Sequence, residues 1–153
     1  MPMIIKRIDE IARQRHSDVV FLEFFSIRDR RMTSKPVSSL FHLFEPVDWE
    51  RHPSRKRILS WLTQNDIHWI PCYGPESDGF IVSPYQGQVF IDVPYAAELP
   101  EQAQDPLFQC LCNFIETDEG RVRWAGVRFC GLALSVAELV HKRHQKRINP
   151  NLV

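Results

Sequence analysis

The sequence predicts an α+β fold: a single-domain mixed β-sheet packed with helices, in the rough order α-β-α-β-β-β-α-β-α. Three observations carry this. Val19-Val20-Phe21-Leu22-Glu23-Phe24-Phe25 is too apolar to alternate between water and core, as expected of a central strand covered on both faces. Helical spacing of apolar residues recurs on either side of it. Pro84-Tyr85-Gln86-Gly87 joins two β-branched runs with hairpin chemistry, because proline presets a turn and glycine accepts positive φ.

In chain order, Ile4, Ile5, Ile8, Ile11 and Ala12 share a face opposite Lys6, Asp9, Glu10 and Arg13, giving a helix over about 3–15. Ser17-Asp18 breaks the pattern before the 19–25 strand. Residues 26–47 yield no assignment. Asp48 is a candidate N-cap, and Ile58, Leu59, Trp61 and Leu62 form the stripe of a helix over about 49–64. Residues 67–73 follow as a strand, and the strand–helix–strand order favours parallel pairing with the first strand, although Pro71 prefers an edge. Phe80–Ser83 and Gln88–Val93 form the antiparallel hairpin. Pro94–Gln104 is a surface connector. Asp105 then caps Pro106 at the first position of a helix carrying Leu107, Cys110, Leu111, Phe114 and Ile115. Val127–Leu132 is the last strand, and Val136, Ala137, Leu139 and Val140 start a C-terminal helix with a basic end, where cations favour the helix dipole.

A chain of 153 residues is the ordinary size of one domain, here 1–153 with a basic tail over about 145–153 left mobile. Charges interrupt the first apolar residues, so a signal peptide is not expected, and no window approaches the roughly 18 apolar residues that span a bilayer. The expected location is cytoplasmic, with no membrane contact. Cys72, Cys110, Cys112 and Cys130 are accordingly read as core thiols.

Net charge is zero by cancellation. Residues 1–57 hold twelve Lys/Arg and eight Asp/Glu, residues 58–120 hold none and ten, and residues 121–153 hold seven and one. The segments therefore carry +4, −10 and +6, a segregation that can set up opposed surface fields.

Two carboxylates stand inside apolar strands, Glu23 in FLEFF and Asp92 in VFIDVP. If their strands are neighbours they can face each other, raise one pKa and serve as an acid/base or metal-binding pair. The alternative is that each lies near a strand end or pairs with an arginine such as Arg28 or Arg128. The Asp…Glu-x-Lys pattern of one nuclease type is missing, since no Lys lies between Lys56 and Lys142, and no glycine-rich phosphate loop is present. Cys110 and Cys112, one residue apart on a helix, point about 200° away from each other and suit no common metal. Cys130 lacks an identifiable His base. His141 and His144 share a helix face but lack a third ligand, and His68 is expected to be a half-buried imidazole. No metal and no cofactor is expected.

The basic residues Arg51, Arg55, Lys56, Arg57, Lys142, Arg143, Lys146 and Arg147 form a candidate patch for phosphates or acidic surfaces. The leading functional expectation is a non-catalytic interaction module using the acidic 58–120 segment and basic flanks, with a protein partner or a second copy of itself. An enzyme using Glu23 and Asp92 is the alternative, and nucleic-acid binding through the basic flanks is the third reading.

Overall fold

The computed structural model describes residues 4–27, 47–75 and 84–148. Five strands, β1 (Lys6–Arg7), β2 (Val19–Phe24), β3 (Trp69–Tyr73), β4 (Val89–Ile91) and β5 (Val127–Leu132), form a sheet of order β1-β3-β4-β2-β5. Four helices accompany it among the described residues: α1 (Ile8–Arg15), α2 (Pro53–Gln64), α3 (Pro106–Ile115) and α4 (Leu134–Ile148). Short 3₁₀ turns occupy Trp49–Arg51 and Glu101–Ala103. The single-domain α+β architecture read from the sequence is the one observed, with its mixed sheet.

The two-sided burial of β2 organises the layers. Register places Val20, Leu22 and Phe24 on the same face as Val89, Ile91 and Val127, against Ile58 and Leu62 of α2 and Leu111 and Ile115 of α3. Val19, Phe21, Phe90 and Cys72 face the other way, beneath Ile8, Ile11 and Ala12 of α1 and Ala137 of α4. Each fully buried Leu or Ile contributes about 2 kcal/mol of transfer free energy.

Several boundaries differ from the sequence reading. The first helix starts at Ile8 because Lys6 and Arg7 pair in parallel with Cys72 and Tyr73, which leaves Ile4 86% exposed. The expected parallel pairing of the first strand with the 67–73 strand does not occur. Val89-Phe90-Ile91 is buried on both faces, so β4 takes the interior position between β2 and β3 and runs antiparallel to each. The parallel neighbour of β3 is β1, which reaches only Cys72 and Tyr73 and leaves Pro71 unopposed on that side among the described residues, as a proline requires. The expected hairpin partner, Phe80–Ser83, lies outside the described residues, as does most of 26–47. The final helix runs to Ile148, so the first residues of the expected mobile tail are helical, and 149–153 lie outside the described residues.

Helix α2 begins later than expected because His52, not Asp48, caps it. His52 Nδ1 accepts from the Arg55 backbone N–H at 3.3 Å and Nε2 donates to the Phe25 carbonyl at 3.0 Å, which fixes a neutral Nε2–H tautomer. Arg55, expected on the surface, turns inward and is only 8% exposed. Its Nε donates to the Gly87 carbonyl at 2.9 Å and its outer nitrogen to the Tyr85 hydroxyl at 3.3 Å, while the guanidinium lies 4.8 Å from the Trp49 ring centroid. Carbonyl, hydroxyl and aromatic face together compensate a charge with no carboxylate partner among the described residues. Gly126, at φ 69°, lets the chain pass this cluster: a Cβ there would come within 2.6 Å of the Phe25 oxygen and 2.7 Å of His52 Nε2.

Gly126→Ala is therefore expected to lower stability by about 2–4 kcal/mol, combining backbone strain with loss of the His52–Phe25 contact. Urea unfolding of parent and variant measures this, and an unchanged midpoint would show that the cluster yields without cost.

Candidate functional site

The strand carboxylates share a sheet face but do not meet. Register puts Asp92 opposite Val19 and Glu23 four residues further along β2, about 13 Å away in the strand direction, with the Phe21–Phe90 pair between them. Each has its own surroundings. Glu23 lies opposite Arg128 in β5 and accepts from the Cys130 thiol at 3.4 Å. Asp92 accepts from Arg15 at 2.6 Å, and the same guanidinium lies 5.2 Å from the Phe90 ring centroid.

Asp92 lines an open cleft of about 560 Å³ where the end of β4 meets the start of β2, together with Arg15, Asp18, Phe90, Pro94 and Tyr95. Asp18 is the residue that sequence reasoning passed over. Its Oδ1 accepts from the Leu134 N–H at 2.8 Å and its Oδ2 from the Ala97 N–H at 2.7 Å, so one carboxylate ties the start of β2 to the first turn of α4 and to the 94–104 connector. A carboxylate at a helix N-terminus is also favoured by the dipole. The signal was present as the Ser17-Asp18 break; which amides it would reach was not.

The connector is held by Gln104, buried, whose amide nitrogen donates to the Ala96 and Leu99 carbonyls at 2.6 and 3.0 Å. Its acidic side chains stay outside: Glu98, Glu101 and Asp105 are exposed, as are Asp118 and Glu119 beyond α3. Glu116, half-buried, has its pKa raised by desolvation first and by the Glu101 charge second, against a smaller lowering from the Cys112 thiol. The two glutamates therefore act within one field although fifteen positions separate them.

The basic candidates divide. Arg51, Lys56 and Arg57 are exposed near the start of α2, with Arg57 lying 5.7 Å from the Trp124 ring centroid. Lys142, Arg143 and Lys146 are exposed on α4, across the sheet, and the side chain of Arg147 lies outside the described residues. The described candidates do not form one patch: Arg55 is interior, and Arg51, Lys56 and Arg57 lie on the opposite layer from Lys142, Arg143 and Lys146.

The thiols also divide. Burial pushes Cys72, Cys112 and Cys130 up to about 12, aided by Glu23 for Cys72 and Cys130 and by Glu116 for Cys112. A thiolate nucleophile is disfavoured at all three. Cys110, expected in the core, is exposed because it lies on the side of α3 away from Leu111 and Ile115. His68 is likewise exposed rather than half-buried, and His141 approaches Gln145 at 2.9 Å, while the side chain of His144 lies outside the described residues. Among the described residues no three His, Cys, Asp or Glu converge as a metal site would require, and no helix is long and apolar enough to cross a membrane.

Comparison with known proteins finds no matching family model, no matching curated protein and no matching solved structure.

Two outcomes follow. Because the folded Glu116 pKa is raised, its contribution is favourable below the ordinary carboxylate range near 4.5 and is lost as pH rises through the raised value. Glu116→Gln should therefore melt above the parent at pH 7, and the advantage should shrink as pH falls toward 4; an advantage independent of pH would remove the electrostatic account. In native labelling with a thiol reagent, Cys110 should react fast and the other three slowly, with all four reacting in denaturant. Three or more fast thiols would contradict the burial described.

Proposed function

We propose that this chain is a non-catalytic interaction module whose acidic surface from Glu98 to Glu119 meets a basic partner or the basic residues of a second copy. The observation that carries the reading is the exposure of Glu98, Glu101, Asp105, Asp118 and Glu119 in a stretch without one Lys or Arg. Glu116 and Glu101 reinforce each other within it. Such a field speeds encounter and selects partners, and its contribution weakens with salt. The enzyme reading has less support, because Glu23 and Asp92 are about 13 Å apart along the strands and Asp92 is already paired with Arg15. Nucleic-acid binding has less support for a similar reason: the basic residues are divided between two layers.

A lysine-rich peptide titrated into the isotopically labelled protein at about 0.15 M salt tests the proposal. Shifts should concentrate on residues 98–119, and the triple change Glu98→Gln, Glu101→Gln, Asp105→Asn should weaken binding tenfold or more. Equal binding by parent and variant would sink the reading, and Asp92→Asn is expected to leave the affinity unchanged.

A further inference from the structure

Helix α4 presents a stripe that is left exposed among the described residues. Ala137 is its buried contact, under α1, and Val136 and Leu139 on the outward side are 46% and 48% exposed. Scattered exposed apolar residues are normal, but these two sit at i and i+3, and Arg143 and Lys146 continue the same stripe at i+7 and i+10. The stripe is apolar at its start and cationic at its end.

A complementary surface lies beside the start of the same helix. Asp18 binds the Leu134 and Ala97 amides with its two oxygens, so the connector passes next to the first turn of α4. From there the connector exposes Glu98, Leu99 and Glu101, again an apolar residue among charges, here acidic ones. At 1.5 Å per residue, Lys146 lies about 18 Å along the axis from Leu134. The acidic and basic ends of this surface are thus separated by most of the helix length.

We propose that two copies of this chain associate through α4, packed antiparallel about a two-fold axis near Leu139. This rests on the interaction-module reading and names its partner. A two-fold contact uses the same patch on both copies, so Leu139 packs on Leu139 of the second copy. Arg143 is then level with the first turn of the opposing helix and Lys146 lies just beyond its start, on the side of the connector with Glu98 and Glu101, and the exchange is made twice. Antiparallel helices also oppose their dipoles. A parallel arrangement would put the cationic ends together and the acidic connectors together, and like charges disfavour it.

Sedimentation equilibrium of the full chain tests this at about 0.05 and 0.5 M salt. A dimer is expected at low salt, with its dissociation constant rising tenfold or more at high salt. Leu139→Asp should give a monomer that melts as the parent does at high salt, where the parent is dissociated. The pair Arg143→Glu, Lys146→Glu and the pair Glu98→Lys, Glu101→Lys should each be monomeric alone and form a one-to-one dimer when mixed, and adding Leu139→Asp to both should abolish that dimer. A parent that is monomeric at both salts, a dimer indifferent to Leu139→Asp, or a mixture that stays monomeric would each overturn the proposal. A monomer that still binds the lysine-rich peptide through residues 98–119 would overturn the dimer alone and leave the module reading standing.

Discussion

The burial of β2 on both faces is the constraint from which the rest follows. A strand reading VVFLEF has no side to offer water, so a helical layer must lie on each side of it, and a neighbour must satisfy the backbone along each edge. The chain meets this with α2 and α3 on one face, α1 and α4 on the other, and β4 and β5 alongside. β4 is only three residues long and buried throughout, which is why it takes the interior place and displaces β3 toward the edge.

Enclosing the sheet leaves backbone polar groups at its ends, and a few side chains satisfy them. Asp18 serves two backbone donors from segments far apart in the chain at one end. His52 and Arg55 serve Phe25, Gly87 and Tyr85 at the other. An unpaired buried donor or acceptor costs about 1–3 kcal/mol, so the buried Arg55–Gly87 contact does more to fix how its segments join than a surface ion pair. These contacts also account for an arginine that looks functional among its basic neighbours in the sequence and is interior in the fold.

What was legible in the sequence is what depends on neighbours in the chain. The Asp105-Pro106 helix start was readable because the cap and the residue it caps are two positions apart, and Asp105 accepts from the Leu107 N–H at 2.9 Å as that chemistry requires. The apolar density of β2 and the span of β5 were readable for the same reason. The place of β4 between β2 and β3 was not, because strand order depends on which runs must be buried twice. The inward turn of Arg55 was hidden in a basic heptapeptide, since only the fold brings Gly87, Tyr85 and Trp49 to it. The candidate site was legible in residue type alone: Glu23 and Asp92 stand out as carboxylates inside apolar strands, but their separation is a matter of register.

Charge segregated along a chain becomes charge segregated in space only where the fold lets it. Here the basic flank of the N-terminal third loses Arg55 to the interior and keeps Arg51, Lys56 and Arg57 near the start of α2. Of the C-terminal flank, Lys142, Arg143 and Lys146 are exposed on α4 on the opposite layer, Arg128 lies in β5 and Arg123 donates to the Glu116 carbonyl. The acidic connector is fastened by Asp18 to the start of α4. Lys146 therefore stands about 18 Å along α4 from the helix start beside which the connector passes. A surface of this kind keeps its field available to another molecule. Two such surfaces turned head to tail, as proposed, would neutralise each other.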